Sequence, residues 1–186
     1  MVRRYRPDPV DPTAVERIAD AARRGPSAGF AQGVSVVVVT TAASRAEIAR
    51  LAGEEEYLGR GFDAWLSPAP VHLVLCVEPE TYRDRYAAAD KDPAALGIPW
   101  WWVDGGAALS LILLAAVDEG LAAGFLGAHA LPGLGDLLGL PPDVEPLGVI
   151  TIGHPAEDPP SSSQGRGRRP HHEVLHRERW GSGGEA

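Results

Sequence analysis

The chain has 186 residues, enough for one domain or one domain with an appendage. At 45% hydrophobic and 23% charged residues it is not a disordered or low-complexity chain, and its one cysteine, Cys76, excludes an internal disulfide framework and a cysteine-based zinc cluster. The net charge of −8 hides a division: residues 164–180 carry five Arg and two Glu, a net +3, which leaves −11 for the rest. An acidic body argues against a nucleic-acid binder, while the basic tail is suited to meeting something negative.

In chain order, Asp11 and Pro12 start a helix as N-cap and first helical residue. Val15, Ile18, Ala19 and Ala22 give it one apolar face, and Gly25-Pro26 ends it. A small-residue loop, Ser27-Ala28-Gly29, leads into a strand at 34–39. A short helix follows at 44–51, with Ser44 as its cap, and 54–66 reads as helix or loop. Pro70 introduces a strand at 71–77, and 82–89 carries a further helical piece.

Pro99 opens the longest helix, to about Glu119. Between Val103 and Val117 only Asp104 and Ser110 are polar, so the helix is expected to be buried on all sides, by its own domain and by a second subunit. The apolar run 105–117 falls short of the ~20 residues that span a bilayer. No apolar stretch follows the basic N-terminus, so the expectation is a soluble cytoplasmic protein with no membrane partner. A weak strand at 121–126, a short helix at 134–140 and a strand at 147–152 complete the core. The division expected is a domain over 1–154 and an extended arm over 155–186. The arm is rich in Pro, Ser and Gly, with apolar anchors at Val174, Leu175 and Trp180.

Three stretches together resemble the FMN-dependent nitroreductase family. They are Val2-Arg3-Arg4-Tyr5 with 8–12, the loop 25–33 (GPSAGFAQG), and Gly165-Arg166-Gly167-Arg168-Arg169-Pro170. Their order and the long helix between them also match, over nearly the whole chain. The resemblance implies an α+β fold, a sheet flanked by helices with a long central helix, and a homodimer with FMN between the subunits and the arm wrapping the partner. It implies an oxidoreductase that passes hydride from NAD(P)H through flavin N5 to a nitro, quinone or similar small-molecule acceptor. The alternative is a protein of this fold that binds flavin or another ligand without turnover.

The residue chemistry fits those roles. Guanidinium groups bind phosphate in bidentate fashion, as Arg166, Arg168 and Arg169 are expected to do. By resemblance, Arg3 faces the flavin ring, where a cation suits the charge that develops on reduction. Ser27, Ala28 and Gly29 contact the cofactor, with Gln32 beside them, and Gly127 closes the stretch 124–127 that passes N5. No acid–base catalytic residue is implied, because the flavin carries the chemistry. Many members carry a basic pair just ahead of the position of Met1, which implies a longer N-terminus or a weaker hold on the phosphate. Many have Asn in place of Phe30 and Pro-Trp in place of Gly33-Val34, which implies a subgroup with its own substrates.

Other features read as structural. His172 and His176 have metal-ligand spacing on a helix, but two ligands make no site and no metal is expected. The run Trp100-Trp101-Trp102 is expected to pack in the core or between subunits. Cys76 in its apolar strand is expected to be a small core residue.

Overall fold

The structure is a computed structural model that describes residues 2–157 and 165–182. Four strands form one antiparallel sheet: β1 (Val34–Val39), β2 (Val71–Val77), β3 (Ala122–Gly127) and β4 (Glu145–Gly153), in the order β1-β2-β4-β3. β2 lies inside the sheet and is buried along its whole length, hence its near-continuous apolar run VHLVLCV. Side chains alternate between two cores. Val71, Leu73, Leu75, Ile150 and Ile152 face α1 (Pro12–Asp20) and α5 (Trp100–Asp118). Val74, Cys76 and Val149 face α2 (Ala42–Leu51) and α6 (Leu134–Leu138). Two further helices, α3 (Glu54–Gly59) and α4 (Pro79–Tyr86), complete the set among the described residues.

Asp11 caps α1 as its side chain predicts, accepting from Thr13 N–H at 3.0 Å. A 3-10 turn, Ala21–Arg24, extends it to Gly25. The cap of α2 is not Ser44. Its helix begins at Ala42, and Thr41 Oγ1 accepts from Ser44 N–H instead. Both residues can cap, and the earlier one does so here.

α5 differs most from expectation. Asp104, Gly105, Ala108, Ile112 and Ala116 are buried against the sheet, but Trp102, Val103, Leu114 and Val117 are exposed at 41, 52, 66 and 67%. Within one chain the helix is therefore buried on one face only. Its 19 residues also exceed the apolar run, and by length and composition it is able to cross a membrane; here one face packs on the sheet instead.

The C-terminal anchors do not pack on their own chain. Val174, Leu175 and Trp180 are exposed at 62, 44 and 87%, so they dock on no core of this chain. His171–Glu173 is a single 3-10 turn, so His172 and His176 do not share a helix face, and His176 lies against Trp180 with ring centroids 4.2 Å apart. The expected arm falls partly on 158–164 and 183–186, outside the described residues. Trp100 and Trp101 are half-buried, whereas Trp102 is exposed. Cys76 is buried, and desolvation pushes its thiol up to about 11.

His72 sits fully buried in β2, with Nε2 donating to Leu66 O at 2.8 Å and Nδ1 without a partner. Burial holds its pKa at about 4, so the folded ring is neutral. The unfolded ring takes up a proton near its ordinary value of 6.5. Stability from His72 is thus fully present above that pH and is lost as pH falls from about 6.5 to about 4, on the order of 3 kcal/mol in all. Urea midpoints measured across this window are expected to fall steeply for the native protein and less for His72→Gln.

Candidate functional site

The N-terminal segment is laid against the β3 edge of the sheet. Val2 N–H donates to Ala123 O at 3.0 Å, and Tyr5 bridges to Pro155. The buried Tyr5 hydroxyl lies 2.7 Å from Thr151 Oγ1 and donates to Val2 O at 3.0 Å. These contacts fix the backbone on both sides of Arg3. Its guanidinium carbon stands 5.7 Å from the centroid of the Trp65 ring, within cation–π range.

Arg3, Tyr57, Arg60, Trp65 and Leu126 line an open cavity of about 290 Å³. Its floor is braced from below. The buried carboxylate of Glu54, at the start of α3, accepts from Trp65 N–H at 2.9 Å, Leu66 N–H at 2.7 Å and Ser67 N–H at 3.2 Å. The His72 bond to Leu66 O holds the same turn from the other side. A Cβ on Gly124 would stand 2.8 Å from Val2 O and 3.0 Å from Trp65, so only glycine lets the segment lie this close to the strand. Gly127 follows Leu126 at the end of β3, packed under the His129 ring.

The loop 27–32 lies at the other edge, where it feeds β1. Two further strands separate β1 from β3, so the two groups stand roughly 14 Å apart across the sheet. Gly29, Phe30 and Gln32 all adopt left-handed backbone, with φ of 61, 58 and 60°. For the two non-glycine residues that conformation costs about 1 kcal/mol or more each. The cost is met by bonds from the surrounding elements. Asp104 Oδ2 accepts from Ala28 N–H at 2.8 Å, Arg85 Nε donates to Gly29 O at 2.8 Å, and Gln32 N–H donates to Ser27 Oγ at 2.7 Å. Phe30 is 75% exposed. Ser27, Phe30, Gln32, Arg23 and Asp104 line a second, smaller cavity of about 130 Å³.

Arg166, Arg168 and Arg169 are exposed, and Arg169 pairs with Glu173 at 3.3 Å. One chain therefore brings together Arg3 and, through Leu126, the end of β3 at Gly127. It holds Ser27, Ala28, Gly29 and Gln32 as a second group, and among the described residues it unites neither group with Arg166, Arg168 or Arg169. Sequence reasoning missed Trp65, Arg60, Tyr57 and Glu54, which no motif marks. It also passed over Asp104, whose position as an acidic group in an apolar helix was a usable signal, because a buried charge requires partners.

The chain is similar to known proteins over most of its length. The profile of the Nitroreductase family matches residues 1–154. An FMN reductase (NAD(P)H) of Bacillus subtilis is 30% identical over 193 residues, covering 95% of this chain and 69% of that protein. An NADPH-flavin oxidoreductase of Vibrio harveyi is 28% identical, covering 94% of this chain and 68% of that protein. Among solved structures, the NADPH:FMN oxidoreductase of Vibrio harveyi in complex with NAD+ superimposes with a TM-score of 0.72 at 27% identity. That alignment covers 96% of this chain and 73% of that one.

Proposed function

This chain belongs to the nitroreductase family, and from that premise we propose that it is an FMN-dependent oxidoreductase that uses NAD(P)H to reduce a nitro, quinone or similar small-molecule acceptor. The observation that carries the reading is Arg3, a cation fixed at the mouth of a cavity walled by Trp65, Tyr57 and Leu126. A flat, partly apolar heteroaromatic ring that gains negative charge on reduction suits such a wall and such a cation. FMN, when bound, supplies the hydride-carrying N5 atom.

The protein's own part is to bind, orient and exclude water. With FMN bound, Arg3 would stabilise the negative charge that the ring gains on reduction. The braced turn at 65–67 keeps Trp65 from collapsing into the cavity. Ser27, Ala28 and Gly29 would let the cofactor come close through their small side chains, Gln32 would offer its side-chain amide, and Gly127 would leave room beside it. Arg166, Arg168 and Arg169 supply the cations for its phosphate.

Because the groups lie on opposite edges of one sheet, we infer a homodimer in which the loop 27–32 of one copy completes the Arg3 cavity of the other. The exposed apolar face of α5 supports this, and that helix holds the loop through Asp104. The residues from 155 onward act as an arm that reaches the partner. We place the protein in the cytoplasm as a soluble enzyme, since the apolar α5 packs one face on its own sheet.

The direct test is the visible spectrum of the purified protein after incubation with FMN, followed by NAD(P)H oxidation with a quinone or nitroaromatic acceptor. A flavin spectrum with acceptor-dependent turnover is expected; a protein that stays colourless refutes the proposal. Arg3→Ala is expected to lower kcat/KM by about tenfold to a hundredfold, the effect of removing one charged stabilising group. An unchanged kcat/KM would take Arg3 out of the site.

A further inference from the structure

We propose that Asp104 is a positioning residue that sets the loop 27–32 in its cofactor-receiving shape, acting through Ala28 and Tyr82. The inference deepens the flavin-dependent reading above and rests on it.

Asp104 is the one charged side chain on the apolar helix between Val103 and Val117, and it is 7% exposed. Burying a carboxylate is costly unless it is hydrogen-bonded. Its Oδ2 receives two donors, Ala28 N–H and the Tyr82 hydroxyl, each at 2.8 Å. Tyr82 is fully buried on α4, and its phenol is pushed well above its ordinary range by burial and by the adjacent Asp104 carboxylate. That keeps the hydroxyl a donor at every physiological pH. The ring also packs against the far end of the loop, where a Cβ on Gly33 would lie 2.5 Å from it.

One carboxylate thus ties the entrance of the loop to α5 and, through Tyr82, its exit to α4. Between those two points run the three left-handed residues Gly29, Phe30 and Gln32. Hydrophobic contact alone does not explain an acidic side chain here, since an apolar residue on this face would complete α5 at lower cost. The arrangement is what a loop requires if its left-handed turn is to keep its shape before a ligand arrives.

The test compares the wild type with Asp104→Ala, Asp104→Asn and Tyr82→Phe. Three readouts are taken: amide exchange across 27–33, FMN affinity, and kcat at saturating FMN. Asp104→Ala is expected to raise exchange at the Ala28 amide by about a hundredfold and the FMN Kd by about tenfold or more. Its kcat at saturating FMN should fall by a smaller factor than its FMN affinity does. Asp104→Asn retains an acceptor for Ala28 N–H and is expected to recover most of the affinity, a rescue that simple destabilisation would not follow.

A folded Asp104→Ala protein with an FMN Kd within about twofold of wild type overturns the proposal. Should that variant fail to fold, Tyr82→Phe keeps the ring and removes only the hydroxyl. It is expected to raise Kd about threefold, and an unchanged Kd there overturns the proposal equally. If the wild type itself takes up no FMN, the flavin reading fails. Exchange at Ala28 then decides alone whether Asp104 orders the loop, and unaltered exchange in Asp104→Ala refutes it.

Discussion

Leu114→Glu combined with Val117→Glu is expected to give a folded monomer that has lost about a hundredfold or more of its FMN affinity and its NAD(P)H oxidation. Both side chains stand on the outer face of α5, two-thirds exposed in the single chain. In a protein that works alone, such surface positions tolerate polar residues within about 0.5 kcal/mol. In a symmetric dimer the same patch meets itself, so each substitution enters the interface twice and sets like charges together in a desolvated seam. Buried charges without partners cost several kcal/mol, enough to dissociate a dimer at working concentrations. Elution volume reports the assembly and circular dichroism the fold. A variant that remains folded and dimeric with full activity would show that α5 is not the contact and that the site is complete within one chain.

The second large effect is on stability. Gly148 in β4 pairs with Gly127 in β3, and a Cβ there would lie 2.3 Å from Leu126 O and 2.6 Å from the Phe125 ring. The obstacle is backbone as well as ring, so no rotamer change relieves it. Gly148→Ala is expected to cost about 3 kcal/mol or more, because the strands must part for a methyl group to enter. For a chain of this size that corresponds to a fall in Tm of roughly 10 °C. Leu126 lines the Arg3 cavity, so FMN affinity should fall as well. Gly135→Ala is the control: it sits in α6 with nothing within 4 Å of its Cβ, and its Tm is expected to hold or rise slightly. A Tm for Gly148→Ala equal to that of the control would refute the steric account.

Local elements were legible in the sequence because each carries its own signal. Apolar runs mark β1, β2 and β4, and Pro12 and Pro99 mark the helix starts. The sheet order was not legible. β4 inserts between β2 and β3 through contacts far apart in the chain, and neither composition nor periodicity records which strands meet. The same limit governs the site. Arg3 and the loop 27–32 were found by resemblance, yet Trp65 stands beside Arg3 only because Glu54 gathers the amides of a turn eleven to thirteen residues later. The apolar surround of α5 led to an expectation of cover on every side, and one chain supplies that cover on one face only.

The buried Cys76 opens a practical route to the assembly. It is the only cysteine of the chain, and its thiol, raised to about 11, is almost wholly protonated at neutral pH and shielded from reagents. A thiol introduced on the surface would therefore take up a maleimide dye or spin label alone, without prior removal of the native one. Two such probes, one on α3 and one near Phe30, would report on the two edges of the sheet separately. Their distances within and between copies could then be followed as cofactor is added.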